Sequence, residues 1–329
     1  MMGSGVRSIA RAAALLVALG LAWPSHAQAP SNRPLTMVVT FPAGGPTDVI
    51  ARLVADGMAR RLEQRIVVEN ISGAGGTIGA ARVARAAPDG STLLLHQVAL
   101  AVAASLYPRL PYDTLTDFDG VGPINFEPMV IVGRKTLPAA TLADLVTWLR
   151  DRPTPAIFAN SGIATPSHLC AALFIGGVGV RVTQVPYRGG PPALTDVLAG
   201  QADLFCGQSF AMVEQVRSGA VRGYVVASRQ RDSALPELPS LDEAGFKGLE
   251  TIVWHALFVP RGTPAPAVAR LNQALRDTLA DREIAPRLTT AGARLFPADQ
   301  QTPAAAKQLL VDEVAKWAKV IRDNHITAE

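Results

Sequence analysis

The chain has 329 residues, 49% of them hydrophobic and 5% aromatic, with 28 Gly and 25 Pro. That length and composition suit two medium α/β domains with many tight loops. The formal charge of +4 drops to +2 when an acid-free leader carrying Arg7 and Arg11 is removed. The remaining cations form no Lys/Arg run interleaved with aromatics, which argues against a nucleic-acid partner, and two Cys with five scattered His give no metal-ligand spacing.

Arg7 and Arg11 precede the apolar stretch Ala12–Trp23 and then "PSHAQAP". This is the layout of a secretory signal peptide. Cleavage after Ala27 leaves Gln28 at the mature N-terminus, giving a signal peptide over residues 1–27. The stretch is too short to span a bilayer, and no later segment reaches ~18 uninterrupted apolar residues. An exported protein is expected.

The mature chain alternates strand and helix patterns. Residues 35–41 ("LTMVVTF") read as a strand, and after "PAGGPTD" the positions Val49, Ile50, Leu53, Val54, Met58 and Leu62 form one helical stripe. A strand at 65–70, a helix at Thr77–Ala87, a turn at 88–90 and a strand at 92–96 follow, then a loop-rich interval over 106–120. A second series starts with the strand 128–133. It continues through helix Leu142–Arg150, strand 155–160, helix Ser167–Gly176, strand 182–187, helix Pro192–Leu198, strand 202–206, helix Phe210–Ser218 and strand 223–228. A long strand at 251–260 and three helices near 264–280, 282–290 and 303–324 close the chain. Alternation of this kind predicts parallel sheets in two α/β lobes. Segments 128–133 and 251–260 are the candidates for crossing between them, and a cleft would lie beyond the strands' carboxyl ends.

The glycine-rich "ENISGAGGTIGA" (69–80) invites a nucleotide-binding reading, but it follows the second strand rather than the first. Thr92–His96, about twenty residues on, offers no carboxylate for a ribose, and Gly76 is followed by Thr77 and Ile78 rather than Lys-Ser/Thr. Its glycines are expected to serve backbone geometry. "TFPAGGPTD" (40–48) is the better anion site. It follows a strand and opens a helix, so amides around Phe41, Ala43, Gly44, Gly45 and Thr47 would face a ligand. Asp48 would cap that helix or meet the ligand.

The matching loop of the second series, "ANSGIATPSHL" (159–169), offers Asn160, Ser161, Thr165, Ser167 and His168, as donors or as turn and cap groups. "CGQSFA" (206–211) has the outline of a nucleophile elbow but lacks its last glycine and a suitably placed histidine. A serine hydrolase using Ser209 is therefore the lesser alternative, and Gln208 and Ser209 read better as polar groups on the cleft wall. His96 and Gln97 end a strand, and Trp254 beside His255 would floor a pocket at the crossing. Cys170 and Cys206 are either a disulfide, which export allows, or two buried thiols.

Six stretches carry a resemblance, in order, over nearly the whole mature chain. They are "RPLTMVVTFPAGGPTDVIARLVADGMARRL", "VVENISGAGGTIGAARVARAAPDGSTLLL", "LYPRLPYDTLTDF", "TPSHL", "VPYRGGPPALTDVLAGQADL" and "LFVPRGTPAPAVARLNQAL". Together they resemble the Bug (Bordetella uptake gene) or TctC-like solute receptors of tripartite tricarboxylate transporters. The resemblance implies an α/β type II periplasmic-binding-protein fold: two Rossmann-like lobes, two crossing segments and a ligand cleft between them. The lobes would be 28–127 with 252–329, and 128–251. It implies a periplasmic, non-enzymatic, monomeric receptor without cofactor, whose partners are a small organic carboxylate and a membrane permease, or no permease in an orphan receptor. A ligand-sensing adaptor for a signalling protein is the other alternative. The chain departs from the family after "TLLL", where "HQVALAVAAS" is more apolar. It also departs at Gly207, where an acid is usual, and at His255. These departures point to a less polar or aromatic carboxylate rather than an amino acid.

Overall fold

The computed structural model describes residues 33–327; the expected signal peptide lies outside them. Strand β1 (Leu35–Val39), helix α1 (Pro46–Leu62), β2 (Ile66–Asn70), α2 (Thr77–Ala84), β3 (Thr92–Gln97) and α3 (Ala99–Leu106) come first. Next are β4 (Phe118–Arg134), α4 (Leu142–Asp151), β5 (Ala156–Asn160), α5 (Pro166–Val178), β6 (Val182–Pro186), α6 (Gly190–Leu198), β7 (Leu204–Gln208), α7 (Ser209–Arg217) and β8 (Val221–Ala227). The chain ends with β9 (Ile252–Pro260), α8 (Ala265–Leu279), α9 (Ile284–Thr290), the two-residue β10 (Arg294–Leu295) and α10 (Pro303–Asp323). Among the described residues no helix is long and apolar enough to cross a membrane.

The strands lie in the order β2-β1-β3-β9-β4-β7-β5-β6, with β8 and β10 also paired to β4. Within each half the pairs β1–β2, β1–β3, β5–β6 and β5–β7 are parallel, as the βα alternation requires, while β9 and β4 run antiparallel to their neighbours. The seam is β4. Its residues up to Pro128 pair with β9, and from Met129 onward they pair with β7 and β8. The chain crosses back at Thr251, whose carbonyl accepts from Met129 N–H (3.0 Å) and whose N–H donates to Ala227 O (2.9 Å). The two crossings therefore lie side by side, hydrogen-bonded to each other.

Helix α1 buries Ile50, Leu53, Val54, Met58 and Leu62 against β1, β3 and β9. Val49, expected on the same stripe, is 37% exposed. It sits in the first turn of the helix. Two other expectations are corrected. The loop read over 106–120 gives way at Phe118 to the 17-residue β4, masked by Gly120, Gly122, Pro123 and Pro128 and interrupted by two register shifts. Ala99–Leu106, read as no element, is a helix with almost every residue buried. A segment with Ser105 as its one polar residue has no polar face to reveal its period.

Candidate functional site

Four helices aim their N-termini at one cavity of about 300 Å³. The ends of α1 (Gly45, Pro46, Thr47), α5 (Pro166, Ser167), α6 (Gly189–Pro191) and α7 (Gln208, Phe210, Ala211) all line it. First-turn amides have no partner within their own helix, and the peptide dipoles sum to partial positive charge there. Three of the four helices carry Pro in the first turn, where its missing N–H costs nothing. Among the described residues, no Asp, Glu, Lys, Arg or His lines the cavity. Its positive potential thus comes from the backbone alone, an arrangement that holds anions.

Of the residues expected at a ligand, Phe41, Gly44, Gly45, Thr47, Gln97, Ser161, Ser167 and Gln208 line this cavity. Gln97 Oε1 accepts from Ala99 N–H at 3.2 Å, which leaves its amide nitrogen for the cavity. Gln208 Oε1 is buried with no protein partner. Ser167 donates its hydroxyl to Cys206 O at 2.6 Å. Phe41 and Ser161 also line an adjoining cavity of about 570 Å³, whose wall includes Thr165, Tyr107, Arg188 and the glycine loop Ser72–Gly76.

The others lie outside this cavity. Ala43 is exposed and outside both cavities. Asp48 is buried, with Oδ2 accepting from Gly44 N–H (2.9 Å) and Arg52 Nε (2.9 Å) and Oδ1 from Asn70 Nδ2 (2.8 Å). It ties the loop to α1 and β2, whereas the helix cap itself is Gly45. Asn160 accepts from Gly162 N–H (3.0 Å), and Thr165 is the N-cap of α5, accepting from His168 N–H (3.4 Å). His168 and Trp254 are buried, and neither lines a cavity. Ser209 is fully buried and donates its hydroxyl straight to Asp232. No imidazole intervenes between them and the hydroxyl does not face the cavity, so the arrangement a serine nucleophile requires is missing.

A polar seam runs beneath the cavity across the crossing strands. Gln97, His255 and Asn125 share one row of the sheet. His255 Nε2 is 3.1 Å from Thr47 Oγ1, while both side-chain polar atoms of Asn125 are buried without a protein partner. Two residues on, Glu127 Oε2 accepts from Phe210 N–H at 2.6 Å at the start of α7. Burial, with Asp232 nearby, raises the Glu127 carboxyl to about 8. Burial lowers His96 to about 4 and His255 to about 3, the latter with a contribution from His96. Both imidazoles are therefore neutral near pH 7. His96, packed edge-on to Phe41, is fully buried and supplies no cation.

Cys170 in α5 and Cys206 in β7 form a disulfide, with Cα atoms 6.3 Å apart. It fastens the helix that carries Ser167 to the strand whose backbone lines the cavity.

The family model described as tripartite tricarboxylate transporter family receptor (TctC) matches residues 50–326. The chain belongs to the TctC receptor family. Its architecture is similar to that of the periplasmic binding protein BugD, at 38% identity and TM-score 0.86 over 90% of this chain and 98% of that one. It is similar also to MatC of Rhodopseudomonas palustris with bound malate (37% identity, TM-score 0.84, 88% and 99% covered). A third similar structure is an R. palustris protein with adipate, at 32% identity and TM-score 0.84 over 93% and 99%. The α/β, two-lobed periplasmic-binding-protein fold follows, and with it the periplasmic location that this family implies.

Sequence reasoning missed more than half of this TctC receptor's cavity. It overlooked Gly189–Pro191, Met129, Leu194, Phe205, Phe210 and Met212. A signal was present: Gly44-Gly45-Pro46 is repeated as Gly189-Gly190-Pro191, each opening a helix. The two loops meet across the cleft. Gly189 has φ 111°, and a Cβ there would lie 2.7 Å from Pro42 Cγ. The glycine loop passed over as a nucleotide site has the same use, since Gly75 packs against Ile163 and Ala164 in the loop after β5.

Proposed function

We propose that this protein is an exported periplasmic receptor that closes its two lobes on a small organic carboxylate and hands it to a tripartite tricarboxylate-type permease. The observation that carries the reading is the cavity bounded by four helix N-termini and free of ionisable side chains. Malate and adipate occupy the two similar structures named above, which supports a carboxylate here. With residues 128–251 as the second lobe, α1 stands on one side of β4's switch in pairing and α5, α6 and α7 on the other. A ligand touching both sides favours the closed state because only differential contacts shift such an equilibrium. The protein performs no chemistry in this reading.

The test is a thermal-shift and calorimetric screen of purified receptor against organic carboxylates. A ligand well above its dissociation constant raises stability by ~2–4 kcal/mol. If no carboxylate shifts the transition while neutral isosteres do, the reading fails. Co-purification with the permease separates delivery to a transporter from presentation to a signalling protein.

A further inference from the structure

Glu127 is a buried acid that the proposed function leaves without a task. It lies on β4 with no exposed surface, two residues before the strand's pairing passes from β9 to β7 and β8. It does not line the cavity, yet it holds a group that does. Glu127 Oε2 accepts from Phe210 N–H at 2.6 Å in the first turn of α7, while Oε1 is buried without a protein partner. Phe210 lines the cavity together with Gln208, Ala211 and Met212 of the same helix end. An amide that this end could turn toward an anion is thus already bound to a carboxyl group of the protein's own.

The groups around Glu127 give its charge little support. On its own strand Asn125 and Met129 share its face and are uncharged. Paired with these residues are Val253 and His255 of β9 and Gln208 of β7. From α7 comes Ser209, whose hydroxyl is donated to Asp232, a residue that follows β8 and repels a charge on Glu127. Arg294 of β10, beside Phe126 in the sheet, is turned to Asp232, 4.0 Å away. Burial, and then Asp232, raise the Glu127 carboxyl to about 8. His96 and His255, lowered by burial to about 4 and about 3, are already neutral throughout that range. A carboxylate settling at the same helix end brings a second negative charge beside Glu127. Like charges oppose each other strongly where little water intervenes. The ligand and an ionised Glu127 therefore disfavour one another, whereas a protonated Glu127 leaves the helix end to the ligand.

We infer that Glu127 is a positioning residue for capture: it takes up a proton as a carboxylate ligand settles at the N-terminus of α7, so that the receptor binds anion and proton together. The inference rests on the carboxylate reading and deepens it. Linkage is reciprocal: a ligand that strengthens Glu127's hold on its proton is itself weakened when alkali removes that proton. Affinity is full where Glu127 is protonated and falls as pH rises through its titration.

Calorimetry with malate, adipate and benzoate, all fully ionised above pH 7, tests it. Tris and triethanolamine serve as buffers, since they differ in ionisation enthalpy and bring no competing carboxylate, phosphate or sulfonate. At pH 8 the heat of binding is expected to differ between the two buffers in the sense of proton uptake. The affinity should fall roughly fivefold from pH 7 to pH 9.5. Glu127→Gln, which keeps an acceptor for the Phe210 amide, is expected to lose both the buffer dependence and the alkaline decline. Equal heats in the two buffers with a flat affinity overturn the inference and leave the carboxylate reading standing. A decline that persists in Glu127→Gln assigns the proton to another group and overturns it equally. Failure of all three acids to bind at millimolar concentration would overturn both readings.

Discussion

Asp48 shows how a charged side chain can govern an anion site without touching the anion. Burial opposes its ionisation, but hydrogen bonds from Arg52, Gly44 and Asn70 hold its pKa below the usual carboxylate value. The Gly44 amide is thereby fixed in the loop that frames α1. Asp48→Ala is expected to leave Arg52 and Asn70 without their acceptor. It should lower stability by about 1–3 kcal/mol and weaken ligand binding, both read by thermal shift with and without ligand. Gly189→Ala acts differently. The added methyl meets Pro42, so ligand affinity should fall at least tenfold, and it sits at a φ that L-residues avoid, so the apo melting point should fall as well. An unaltered dissociation constant would show that the Pro42–Gly189 contact is not part of closure. The loop that holds the first of these residues was legible from its place after a strand and before a helix, but its role was not: read as a helix cap or a ligand contact, Asp48 instead ties Gly44, Arg52 and Asn70 together. The second was not, because a Gly-Gly-Pro opening a helix reads as a turn until its partner across the cleft is known.

At the scale of elements, the disulfide between α5 and β7 is the strongest single prediction. It closes a loop with a sequence separation of 36, for which chain entropy gives roughly 3–4 kcal/mol. Reductant, or Cys170→Ser with Cys206→Ser, should lower the melting temperature measurably in calorimetry. It should also weaken binding, because Ser167 leans on the Cys206 carbonyl. A reduced protein with an unchanged transition would show that the link adds no stability. The alternation of strands and helices, and hence the two parallel half-sheets, could be read from hydrophobic periodicity. The seam could not. β4 contains Gly120, Gly122, Pro123 and Pro128, residues that signal loops, yet antiparallel pairing with β9 accommodates them through two register shifts. α3 escaped notice for the opposite reason, having Ser105 as its one polar residue and so no polar face.

For the whole molecule, three buried groups set opposing pH dependences. Glu127, raised from 4.5 to about 8, binds its proton more tightly folded than unfolded, so its contribution is present below pH 4.5 and is lost as pH rises toward 8. His96 and His255, lowered from 6.5 to about 4 and about 3, contribute above pH 6.5 and lose that contribution as pH falls toward their folded values. The two dependences together place maximum stability between the acid and alkaline limbs. Glu127→Gln should flatten the alkaline limb and move the optimum upward in thermal melts taken from pH 4 to pH 9; an unshifted alkaline limb would show that Glu127 is not the controlling group. The lining of the cavity meets this titration at two points, since Thr47 lies against His255 and the Phe210 amide is held by Glu127. The peptide dipoles themselves neither gain nor lose protons, so between the ranges in which those two neighbours change charge the grip should hold steady, and capture would follow the dissolved acid's own ionisation.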